Sequence, residues 1–293
     1  MGERNHSSNR KEKRQPFKLD LSELAPETDD AELMKVQTLL ERLDYLTESY
    51  RTGRLDKPTQ TALKKYQCFQ GLKQTGTTDR ATVEKLEGPR CGTPDPQDRL
   101  RFAAVEFVLA DPGVGLRSGC DNVGINPFTY TIGNRPEELP DELNFDEVSG
   151  AIERAFATWE RVIPVKLNHT QGDGNSVFRL KFGAGAHGDG QENRFDTIGG
   201  LYAHAFYPGL CGKGFPGQCH FDKAERWGLN DDESQRTFDL ETVALHEIGH
   251  LLGLTHSTNS ASIMFDRHVG ERRSLSADVI AQIQRIYGTP ETG

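Results

Sequence analysis

One run of eleven residues constrains this chain more than any other: His246-Glu247-Ile248-Gly249-His250-Leu251-Leu252-Gly253-Leu254-Thr255-His256. On a helix, residues four apart lie one above the other, so His246 and His250 can present both imidazoles to one metal ion. Val243, Leu245, Ile248, Leu251 and Leu252 give that helix an apolar side to hold it against a core. Gly253 lets the chain leave the helix through a conformation that other residues resist. The turn can then bring His256 round as a third ligand. Three nitrogens leave the fourth tetrahedral position to water, the arrangement of a catalytic zinc rather than a closed structural one. Glu247 cannot share the direction of its neighbour His246 and can instead serve that water as general base. A helix with two buried histidines would explain His-Glu-x-x-His alone; the added glycine and third histidine weigh against it.

The rest of the chain bounds what can surround this site. Lys and Arg number 35 against 44 Asp and Glu, a net charge of −9, which argues against a nucleic-acid partner. No apolar run is long enough to span a bilayer, so no membrane contact is expected. Residues 1–27 read as a disordered basic arm without the apolar core of a signal peptide. Over 28–95 three short helices are expected. Leu33, Val36, Leu39, Leu40 and Leu43 set the first, Leu63, Tyr66 and Phe69 the second, and Thr78 or Asp79 caps the third. Turn-rich residues 96–126 read as a linker. Residues 127–289 mix strands (128–132, 176–182, 201–207) with three helices (145–162, one from Asp239 to Leu252, and one from Ser276 to Tyr287), an α+β pattern. Of five cysteines, Cys211 and Cys219 flank a Gly/Pro-rich loop and are expected to bridge in an oxidising compartment.

Met264 stands eight residues after His256, and the extended motif with such a methionine resembles the metzincin signature. Ser257 after the third histidine, and Pro89-Arg90-Cys91-Gly92-Thr93-Pro94-Asp95 upstream, narrow the resemblance to the matrixins, the matrix metalloproteinases. The upstream run is similar to that family's cysteine switch. The three-helix unit resembles its peptidoglycan-binding-like propeptide. The resemblance implies a mixed, mainly parallel twisted sheet with three helices, and a latent zinc endopeptidase acting on protein or peptide substrates. It implies that Cys91 ligates the catalytic zinc in the latent form, since thiolate is a strong zinc ligand. It also implies that Arg90 and Asp95 pair to hold the switch loop. His187, Asp189, His204 and His220 match the family's structural zinc site. Asp196, Asp222 and Glu225, with backbone carbonyls at Thr197, Gly199 and Leu201, match its calcium site.

The family is secreted and extracellular. A monomer and an activating protease are expected, with no haemopexin-like domain or anchor after Tyr287. Where matrixins usually carry Tyr-Pro-x-Tyr after the methionine, walling the main specificity pocket, this chain has Phe265-Asp266-Arg267-His268, so a smaller or more polar pocket is expected. The alternative function is cell-wall glycan binding by residues 30–90, with proteolysis secondary.

Overall fold

A computed structural model describes residues 19, 30–95, 128–133, 135–171, 176–196, 198–207, 215, 217–232 and 236–290. The expected linker over 96–126, and all of the expected basic arm except Leu19, lie outside them.

The amino-terminal unit holds helices α1 (Ala31–Arg42), α2 (Lys57–Phe69) and α3 (Arg80–Glu87). Each begins at an aspartate, Asp30, Asp56 and Asp79, whose side chain accepts backbone N–H bonds from the first turn. Such caps satisfy donors that a helix start otherwise leaves orphaned. Leu33, Val36, Leu40, Leu63, Tyr66 and Leu86 close a hydrophobic cluster of their own.

The second unit is a six-stranded sheet with three helices. In spatial order the strands are β1 (Arg90–Cys91), β5 (Leu201–Ala205), β6 (Gln218–Asp222), β4 (Phe178–Gly183), β2 (Phe128–Ile132) and β3 (Leu167–His169). All neighbours pair parallel except β5 with β6. Short β7 (Arg226–Gly228) and β8 (Thr237–Asp239) pair beside it. Helix α4 (Phe145–Glu160) buries Val148, Ile152, Ala155, Phe156 and Trp159, the face expected from its periodicity. Trp159 Nε1 donates to Leu245 O at 2.9 Å, locking α4 to α5 (Leu240–Leu251). Every residue of α5 is buried. A helix enclosed on all sides has little freedom to tilt, because each apolar side chain withdrawn from water contributes roughly 1.5–3 kcal/mol. Helix α6 (Ala277–Tyr287) closes the fold, burying Val279 and Ile283.

The expected Cys211–Cys219 bridge is described at one end only. Cys219 is a free thiol in the middle of β6, opposite Leu180 and Ala205 and fully buried, so it faces the core rather than the loop. Cys211 lies outside the described residues. Cys91 is fully buried, because it enters the larger unit's core as part of β1.

Candidate metal centres and cleft

Helix α5 presents His246 and His250 on one face, their Nε2 atoms 3.0 Å apart. Gly253, at φ 100°, turns the chain out of the helix and His256 follows. Each ring is aimed by a bond from its other nitrogen: His246 Nδ1 to Ile263 O at 2.7 Å, His250 Nδ1 to Leu254 O at 2.7 Å, His256 Nδ1 to Asp95 Oδ1 at 2.8 Å. Donation through Nδ1 leaves the Nε2 lone pairs converging on one point, as metal-ligating imidazoles require. Met264 packs beneath, where a side chain on Gly249 would collide with its sulfur. Burial lowers His246 to about 3 and His250 well below its ordinary value, so both rings are neutral, the ligating form.

The fourth group comes from the amino-terminal unit. Cys91 Sγ lies 3.7 Å from His250 Nε2, and with the three imidazoles it forms a set whose ligand atoms are all within 4.8 Å of one another. The set fits a zinc ion by composition and by two unspent groups: His256 Nε2 has no hydrogen-bond partner, and neither has either oxygen of buried Glu247. Burial pushes the Glu247 carboxyl up to about 8.

Cys91 is delivered by β1, which lies between two walls. Arg90 N donates to Gly200 O at 3.0 Å and Gly92 N to Ala203 O at 2.7 Å on the β5 side, while Cys91 N donates to Asp266 O at 2.9 Å opposite. Arg90 and Asp95 pair at 2.7 Å, and Asp95 also takes a bond from Tyr45 Oη at 2.7 Å. Beside His246 a small open cleft is lined by Tyr202, Val243, Ile263, Arg267, His268 and Arg272.

A second cluster joins His187, Asp189, His204 and His220. Asp189 Oδ2 receives all three rings at 2.9, 2.7 and 3.0 Å, while buried Oδ1 has no partner. Burial opposes ionisation of Asp189, but the three imidazole bonds hold it well below the usual carboxylate range. One carboxylate and three imidazoles form a closed tetrahedral donor set.

The carboxylates of Asp196, Asp222 and Glu225 do not form such a side-chain cluster. They are tied into their loop instead: Asp196 Oδ1 accepts from Leu201 N at 3.0 Å, Glu225 Oε1 from Gly199 N at 2.5 Å, and Asp222 Oδ1 from Ala224 N at 2.8 Å. Thr197 lies outside the described residues. Burial raises Asp196 and carries Glu225 up to about 7, the behaviour of buried carboxylates that suit a hard cation.

A matrixin family model matches residues 124–288, and a peptidoglycan binding domain model matches 29–86. The chain belongs to the matrixin family. Among relatives of this matrixin, interstitial collagenase of Sus scrofa is 38% identical over 231 residues, covering 78% of this chain and 43% of that protein. Metalloendoproteinase 1-MMP of Arabidopsis thaliana is 34% identical, covering 80% and 62%. Metalloendoproteinase 4-MMP of the same plant is 31% identical, covering 89% and 73%. The chain thus spans about half the length of the first relatives it matches. Matrixins use catalytic and structural zinc and calcium, and this one carries the His/Cys cluster for it.

Several residues at the matrixin cleft carry no advance signal in the sequence. Arg42 donates to His204 Nδ1 at 2.9 Å, and Gln70 Nε2 to Asp266 Oδ2 at 2.8 Å. Arg267 bonds Gly88 O and Lys85 O. The only pointer to Asp266 and Arg267 is the departure from Tyr-Pro-x-Tyr.

Proposed function

We propose that this matrixin is a latent zinc endopeptidase in which Cys91 closes the metal site until β1 is displaced. The observation that carries the reading is the convergence of Cys91 with His246, His250 and His256 within 4.8 Å. Zinc held by the three imidazoles supplies Lewis acidity toward the scissile carbonyl and lowers the pKa of water. The chain supplies the rest. Acceptors at Ile263, Leu254 and Asp95 orient the three rings. With β1 gone, the edge of β5 offers Gly200 O and Ala203 O to an extended protein substrate. Glu247 takes a proton from the attacking water on a carboxylate oxygen and passes it to the leaving amine.

We assign structural zinc to His187, Asp189, His204 and His220, and calcium to the loop bearing Asp196, Asp222 and Glu225 with the carbonyls of Thr197, Gly199 and Leu201. The family supports an extracellular setting; among the described residues no helix is long and apolar enough to cross a membrane. A monomer awaiting an activating protease accords with a switch built within one chain. Glycan binding by residues 30–90 is not favoured, because Gln70, Lys85, Gly88 and Arg90 spend their bonding groups on the cleft.

The test is hydrolysis of a peptide library by the full chain treated with a thiol-displacing mercurial. Glu247→Ala is expected to lower kcat/KM by on the order of 10²–10⁴-fold. Equal hydrolysis by both chains overturns the assignment.

A further inference from the structure

Position 266 is where this chain leaves its family's pattern, and it is also where the cleft grips the propeptide. The Arg90 guanidinium lies between two carboxylates, Asp95 at 2.7 Å and Asp266 at 3.3 Å, and the three side chains are 1% exposed or less. Arg90 belongs to an extended segment hydrogen-bonded to both walls of the cleft, Gly200 and Ala203 on one and Asp266 O on the other. A substrate backbone laid in the same groove meets the same acceptors. Its side chain at the place of Arg90 meets the Asp266 carboxylate.

We propose that Asp266 is the specificity carboxylate of the opened cleft, and that the space filled by Arg90 takes an Arg or Lys side chain of a protein substrate. The proposal rests on the endopeptidase reading above and names its substrate class. Asp266 loses nearly all its partners when the propeptide leaves. Arg90, Gln70 Nε2 at 2.8 Å and the backbone N–H of Cys91 all depart with it. Oδ1 has no hydrogen bond even in the latent form. Among the described residues its own unit supplies one nearby cation, Arg267, whose Nε stands 3.9 Å away and whose terminal nitrogens also lose their partners Gly88, Lys85 and Tyr66 when the propeptide leaves. A carboxylate stranded in a cleft recovers its lost interaction by pairing with an incoming cation. A substrate guanidinium meets one carboxylate where Arg90 met two, because Asp95 leaves as well. The expected preference is therefore about tenfold, the scale of one charge-assisted hydrogen bond.

The test uses the full chain treated with a mercurial until its propeptide has been cleaved off. A peptide-library digest locates the position next to the cleavage site at which basic residues are selected. Matched peptides then carry arginine or citrulline there, which share a shape and differ in charge. The wild type should show a kcat/KM ratio of about ten or more for arginine over citrulline. The ratio should fall toward one in Asp266→Asn and persist in Asp266→Glu. No basic preference in the wild type, as when Arg267 swings onto Asp266, overturns the proposal, and so does an unchanged ratio in Asp266→Asn. Fluorescence anisotropy of the same peptides on the Glu247→Ala chain, its propeptide removed by mercurial and trypsin, reads the preference without turnover. Tighter arginine binding with no cleavage by wild type defeats the endopeptidase reading alone, and equal binding of the two peptides defeats this inference alone.

Discussion

Arg90 shows how much one side chain does here. It neutralises two buried carboxylates, and Asp95 in turn orients His256. Arg90→Gln strands both charges, and removing one partner of a buried ion network costs about 3–5 kcal/mol. The latent chain should therefore melt well below wild type, as read by calorimetry. Acid provides an independent check. Burial tends to raise Asp95, but Arg90 and His256 hold it well below the usual carboxylate range. A depressed folded pKa stabilises the fold above the unfolded value of about 3.9 and loses that contribution as pH falls below it. The melting temperature of wild type should drop more steeply below about pH 4 than that of Arg90→Gln. Parallel acid limbs would remove Asp95 from the account. The charges at positions 90, 95 and 266 are plain in the sequence, but nothing local says that 266 meets 90.

At the scale of elements, the helices were legible and the short strands were not. Asp30, Asp79, Asp239 and Ser276 stand at the expected helix starts, the three aspartates with a side-chain capping bond and Ser276 without one. Helix α5 carries its ligand spacing within a single turn. Strands β3, β7 and β8 have three residues each and β1 has two, too few for an alternation to register. They exist because a neighbour supplies the hydrogen bonds. The loop before β5 and the turn after β6 yield a pH-dependent prediction. Glu225 is raised to about 7 by burial, then by Asp196. A carboxyl raised in the folded state costs stability as pH climbs from its unfolded value of about 4.3 through the folded one, unless a cation balances it. A calcium chelator should thus lower the melting temperature more at about pH 8 than at about pH 5.5. Equal shifts would detach Glu225 from calcium.

Across the whole molecule, the contact between the propeptide and the larger unit is a shared surface rather than a single bond. Besides Cys91, the propeptide holds the larger unit through Arg42 on His204, Gln70 on Asp266, the β1–β5 ladder and the Arg267 clasp on α3. Cys91→Ser should gain peptide hydrolysis without mercurial, yet stay below fully processed wild type, because β1 still obstructs the cleft. A serine variant as silent as the untreated wild type would refute the switch.

The eleven-residue motif determined its own geometry, because helix pitch places positions four apart together and a glycine at φ 100° bends the chain. The family, the three imidazoles and Glu247 could be read from that run and from the Pro89–Asp95 segment. The tertiary structure alone decided which distant groups complete the site. Asp95 reaches His256 across 161 positions, Cys91 reaches His250 across 159, and Gln70 reaches Asp266 across 196. No local period encodes such pairings. They arise because two hydrophobic clusters, each closed by its own side chains, meet along the edge of β5 and force polar groups caught between them to find partners.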